Sequence, residues 1–160
     1  MNRKGFTLIE VLAVIVIMGI LLVMVVPNVL SVYRDSRLKS EEIFLGRLSQ
    51  TIDSYVKLKS NEIEFKDSIS ATKDSNTITV YHGEISIQDI LNSNLLTTSN
   101  FINAGNKNAT CNTDAVISVY RDTDYVYCYK IKSSELGCLI NDNDSYAIDT
   151  CIWRENKWYQ

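Results

Sequence analysis

The sequence predicts an α+β protein in which one long amino-terminal helix packs on a carboxy-terminal antiparallel sheet. Three observations carry this. From Val11 to Val26 every residue except Gly19 is apolar, and from Pro27 to about Ser60 apolar residues recur on one side only. After Ala115, β-branched and aromatic residues gather around Asp- and Asn-rich turns.

The first element begins KGFTLIEVLAVIVIMGILLVMVVPN, Lys4 to Asn28. The run from Phe6 to Val26 is 21 residues long, enough for one span of about 30 Å at 1.5 Å per residue. Arg3 and Lys4 precede it, which places the amino terminus in the cytoplasm and the body outside. No Ala-x-Ala site follows, so the segment does not read as an ordinary secretory signal. One residue is out of place. Glu10 sits inside the run, where a carboxylate costs roughly 2.5–3.5 kcal/mol at mid-bilayer and less near an interface.

Beyond Pro27 the pattern becomes one-sided. Leu38, Leu45, Leu48, Ile52, Tyr55 and Val56 recur at helical spacings among Arg37, Lys39, Glu41, Glu42, Arg47, Gln50 and Asp53. An amphipathic helix with its stripe on a sheet is expected over 29–60. No strong stop intervenes after Phe6, so one rod of roughly 80 Å is predicted. Gly19 and Pro27 are its weak points, proline because it removes a donor and crowds the preceding turn.

Residues 61–110 read as a mixed connection: TITVYHG (77–83) as a strand running into a turn, SIQDILNSNLL (86–96) as a short helix, and 92–112 as Asn- and Ser-rich loop. The sheet is expected over 111–160. AVISVYR (115–121), DTD (122–124) and YVYCYKI (125–131) form a hairpin, and CLI (138–140) with YAID (146–149) a second one. CIWRENKWY adds an edge strand.

Removing Arg3, Lys4 and Glu10 leaves 14 basic and 18 acidic side chains, a net of −4, which argues against generic nucleic-acid binding. Cys111, Cys128, Cys138 and Cys151 form no Cys-x-x-Cys pair and read as two disulfides of an exported domain. Three pairings are open. Cys111–Cys128 with Cys138–Cys151 is favoured, because the second bridge would bracket the turn NDNDS (141–145). His82 has no second histidine and reads as structural. Asp142, Asn143, Asp144 and Asp149 lack the order and glycine of a calcium loop, so no metal is assigned, and no cofactor. Trp153, Trp158 and Tyr159 read as sheet-covering core. No catalytic constellation is present in the sequence, which argues against a tethered enzyme.

Arg3-Lys4-Gly5-Phe6-Thr7-Leu8-Ile9-Glu10 followed by an unbroken apolar helix resembles the amino terminus of type IV pilins and pseudopilins. The match covers roughly residues 1–30, and Gly19 and Pro27 stand where that family carries helix-loosening residues. The resemblance implies a pilin fold, a leader 1–5 cut after Gly5 by prepilin peptidase, a new and N-methylated amino terminus at Phe6, an assembly helix over 6–28, and an exported head over 29–160. It further implies that Glu10 meets the Phe6 ammonium of a neighbouring subunit and sets axial register. Partners would be other pilins, the peptidase, and an inner-membrane platform with its ATPase. The chain would be single-pass before assembly and part of a surface filament afterwards. A competence or type II secretion pseudopilin is the alternative, and a tethered binding module that never polymerises is a further one.

Overall fold

The computed structural model describes residues 7–73, 76–140, 144–154 and 157–159, without the side chains of 24–28, 71–73, 76, 100, 152–154 and 157–159. The chain divides into two units, 1–37 and 38–160.

Helix α1 runs Leu8–Leu58. In the first unit it passes through Gly19 and Pro27 without a break. A Cβ at Gly19 would meet nothing within 4 Å, so no close approach requires glycine there. The apolar side chains from Leu8 to Val23 are exposed on every side of the helix, Leu12 at 54% and Val16 at 53%. Among the described residues no helix is long and apolar enough to cross a membrane. The described side chains of the run end at Val23, and Leu8–Val23 covers roughly 24 Å at 1.5 Å per residue.

In the second unit α1 is one-sided. Phe44, Leu48, Ile52, Tyr55 and Val56 are buried, and their near-four-residue spacing puts them on one stripe. They share a core with Ile85, Ile117, Val119, Tyr129 and Ile131 of the sheet. Leu38, expected in the stripe, is 49% exposed, whereas Phe44, not included in it, fills the core.

The seven-stranded sheet has the order β7-β6-β5-β2-β1-β9-β8. Its strands are β1 Phe65–Lys73, β2 Asn76–Ser86, β5 Val116–Arg121, β6 Tyr127–Lys132, β7 Tyr146–Asp149, β8 Ile152–Arg154 and β9 Lys157–Tyr159. Between them lie helix α2 Ile87–Asn92, a two-residue ladder of β3 Ile102–Asn103 with β4 Ala109–Thr110, and helix α3 Ser133–Leu136. All sheet pairings are antiparallel except β1 with β9, joined at Thr72↔Lys157. The predicted β5–β6 hairpin is present.

Several boundaries differ from the sequence reading. The sheet begins at Phe65, so the divide between a connecting region and a sheet from 111 onward is not structural. FKDSISATK gives only a weak strand signal, because Phe65, Ile69 and Ala71 are its only apolar residues and Asp67 breaks their alternation. Gly83 does not end a strand. It lies inside β2, where a Cβ would sit 2.9 Å from the Glu64 carbonyl oxygen and 3.0 Å from Ile63 Cγ2, next to the register shift between Phe65 and Asp67. Glycine is needed there for close approach. Helix α2 is shorter than 86–96: Ser86 caps it and shares a capping box with Asp89.

The expected hairpin of 138–140 with 146–149 does not form; β7 pairs with β6 instead. The backbone groups of 138–140 are bound by side chains. Asn103 and Asn106 donate to the Cys138 carbonyl, Asn106 also to that of Leu139, and Ile140 N–H donates to Glu41. Those three groups, the carbonyls of Cys138 and Leu139 and the N–H of Ile140, are then committed outside any ladder.

The favoured disulfide pairing is also corrected. The bridges are Cys111–Cys138 and Cys128–Cys151. Cys128 stands between Tyr127 and Tyr129 in β6, and alternation turns it to the opposite face of the sheet. There it packs with Val80 and Cys151, while Cys111 and Cys138 lie in the helix-side core. The sheet separates Cys111 from Cys128.

Candidate assembly site

Gly5 and Phe6, the expected cleavage and methylation residues, lie outside the described residues. Glu10 does not. Thr7 precedes the first helical residue, and its N–H donates to Glu10 Oε2 at 3.1 Å, as does its hydroxyl at 3.2 Å. In return Glu10 N–H reaches Thr7 Oγ1 at 3.4 Å, a long bond, and the Thr7 carbonyl at 3.1 Å. This is a capping box, Thr-x-x-Glu, satisfying donors that a helix start otherwise leaves orphaned. A carboxylate in the first turn also meets the positive end of the helix dipole. The pattern was legible in Thr7-Leu8-Ile9-Glu10, and the sequence reading passed over it for the apolar run. Glu10 thus has an intrachain task, and its side chain points back toward the amino terminus.

In the head, two polar contacts attach α1 to the rest of the unit. Glu41 Oε2 accepts from Asn103 Nδ2 and from Ile140 N–H, both at 2.7 Å. Asn103 is fully buried, and its Oδ1 accepts from Gly105 N–H at 2.9 Å. Two loops distant in sequence therefore converge on one carboxylate, beside the Cys111–Cys138 bridge. Further along, Tyr129 Oη donates to the Ser49 carbonyl at 2.7 Å and lies 2.9 Å from Ser49 Oγ. Burial raises the Tyr129 phenol's pKa above its ordinary value, an effect the Ser49 hydrogen bond partly offsets. Nothing in the sequence singles out Glu41 or Asn103, because their partners lie 62 and 99 residues away along the chain.

The remaining candidates fall apart as sites. His82 stacks on Tyr120 at 4.9 Å and its Nδ1 lies 3.9 Å from Asp67, while its buried Nε2 has no hydrogen-bond partner among the described residues. Asp144 pairs with Lys132 and Asp149 with Lys130, while Asp142 and Asn143 lie outside the described residues. Among the described residues no group of side chains is placed to hold a metal ion. Trp153 and Trp158 are register partners in the β8–β9 hairpin; their side chains, like that of Tyr159, are not described.

A comparison with curated proteins and with solved structures finds no match for the chain. A comparison with protein families matches residues 1–26 to the prokaryotic N-terminal methylation motif. Capped by Thr7 and Glu10 and apolar from Val11 to Val26 except at Gly19, the amino-terminal segment of this chain carries the signature of type IV pilins and pseudopilins.

Proposed function

We propose that this chain is a structural subunit of a type IV pilus or pilus-like filament. Prepilin peptidase cuts the leader 1–5 after Gly5, Phe6 becomes the N-methylated terminus, and the helix over 6–28 carries the subunit first in the membrane and then in the filament. The head over 29–160 faces outward. The observation that carries this reading is the methylation motif over residues 1–26. The exposure of the Leu8–Val23 side chains supports it, since an all-round apolar helix is stable only inside lipid or a bundle of other helices.

Glu10 has two tasks in this proposal. Within its own chain it closes the capping box with Thr7. Between chains it receives the Phe6 ammonium of an incoming subunit, a group with pKa near 8 that is largely charged at neutral pH. Cleavage removes Arg3 and Lys4 and creates that charge one helical turn from Glu10. A cation entering an apolar bundle is costly unless it is paired.

Intact-mass measurement of the membrane and sheared-surface fractions tests the proposal. The mature chain is expected to begin at Phe6 with one added methyl group and to be present in sheared filaments. A mature chain retaining Met1–Gly5 in a host with active prepilin peptidase would overturn it.

A further inference from the structure

Arg121, the last residue of β5, lies in a box of aromatic rings. Its guanidinium carbon is 4.5 Å from the centre of the Phe65 ring and 5.1 Å from those of Tyr81 and Tyr125. The register pairs Arg121 with Tyr81 on one side and Tyr127 on the other, which places these side chains on one face of the sheet. Among the described residues Arg121 has neither a salt bridge nor a side-chain hydrogen bond. Arg121 is half-buried, and its guanidinium carries five N–H donors in a planar fork, the geometry that matches a carboxylate.

The loop that supplies the third ring is built for that placement. Asp122 is 1% exposed, and its Oδ1 accepts from Asp124 N–H at 2.9 Å and Val126 N–H at 2.8 Å. Tyr125 adopts φ 62°, the left-handed region that a bulky side chain rarely enters, and is 69% exposed. A strained backbone here presents an aromatic ring to solvent above a cation, and no burial of the ring repays the strain.

The other face of the same strands carries the opposite charge. Asp67 pairs in register with His82, and Glu84 with Ser118, so both carboxylates stand on the face opposite Arg121. They line a cavity of about 340 Å³ together with Glu62, Glu64 and Lys66. Over 38–160 there are 12 basic and 17 acidic side chains, so a second copy of this chain is itself an acidic partner.

We propose that the Arg121 box receives the Asp67–Glu84 face of a second copy, in an inference that rests on the filament reading above. The sheet lies between the two sites, so one chain cannot pair them internally. Sites on opposite faces make a heterologous contact, which closes as a ring or propagates as an open helical row but does not form a two-fold dimer; the open row is the symmetry a filament needs. Guanidinium and carboxylate would join through two parallel N–H···O bonds, in surroundings that the rings keep poor in water.

The test is charge reversal in the full-length chain, read as the amount in the sheared filament fraction. Arg121→Glu is expected to lower incorporation at least tenfold, with membrane insertion, cleavage and the absence of free thiols unchanged. The double variant Asp67→Arg, Glu84→Arg should fail likewise. Co-expressed, the two variants should assemble together, because each supplies the charge that the other lacks. Normal incorporation of Arg121→Glu overturns the inference and leaves the filament reading intact, and so does failure of the mixed pair to assemble when each single variant is folded. Absence of the unaltered chain from the sheared fraction overturns both.

Discussion

Residues 8–23 and 44–56 belong to one helix and meet opposite surroundings. Leu12 and Val16 are 54% and 53% exposed, whereas Leu48 and Ile52 are 2% and 0% exposed. Leu8–Val23 is apolar at 14 of its 16 positions and residues 44–56 at six of 13, and those six gather toward one side of the helix. A stripe at four-residue spacing can be covered by one sheet, but a helix apolar on every side has to be surrounded. The head therefore meets its own needs within the chain, and the amino-terminal segment relies on lipid or on other copies.

Reduction gives the largest expected effect on the self-sufficient half. The two bridges close loops with separations of 27 and 23 residues, and each contributes roughly 3.5 kcal/mol in the chain-entropy description. The unreduced protein should show no free thiol, and reductant should lower its unfolding midpoint sharply. Stoichiometric thiol labelling of native, unreduced protein would contradict the structure, and peptide mapping should return Cys111–Cys138 with Cys128–Cys151.

The next largest effect belongs to the dependent half. Glu10→Val should leave insertion and cleavage intact, since it makes the segment more lipid-like, and should lower incorporation into filaments at least tenfold. Glu10→Gln sharpens the comparison, because glutamine at the third helical position also closes a capping box but carries no charge. If Glu10→Gln assembles like the unaltered chain, the cap is what matters, and the pairing with a neighbour's ammonium is wrong.

Core truncation separates the two stretches directly. Ile52→Ala should destabilise the head by about 2–5 kcal/mol, through lost burial and the cavity left behind. Leu12→Ala should leave head unfolding unchanged within about 0.5 kcal/mol, because Leu12 has no core to lose. Equal effects in a denaturant titration would falsify the division.

The smallest effect concerns Tyr129. Its phenol is raised by burial, so the folded state holds the proton more tightly than the unfolded chain does. The resulting stability is fully present below the ordinary tyrosine value near 10 and is lost as pH rises through the raised folded value. Tyr129→Phe should cost about 1 kcal/mol at neutral pH through the lost bond to Ser49, and it should flatten the alkaline decline. An unchanged slope above pH 10 would assign that decline to other groups.

Sequence pattern alone was enough for the long helix, its change from all-round to one-sided apolar character, the β5–β6 hairpin and the motif at the amino terminus, although burial of the stripe starts at Phe44 and not directly after Pro27. Each is written in local periodicity or spacing, which depends on neighbours a few residues away. The capping box was legible for the same reason, as Thr7 and Glu10 are three apart. The rest follows from contacts between distant segments. Whether Cys128 meets Cys111 or Cys151 depends on which face of β6 it takes within the assembled sheet. Segment 138–140 is held out of a ladder by Glu41, Asn103 and Asn106. Strand β1, mostly polar and with its alternation broken at Asp67, takes its place from β2, with which it pairs from Phe65 to Lys73. The Arg121 box joins three separate segments, at 65, at 81 and at 121–125. Contacts of long sequence separation leave no local pattern, because the free energy that fixes them appears only when the chain closes on itself.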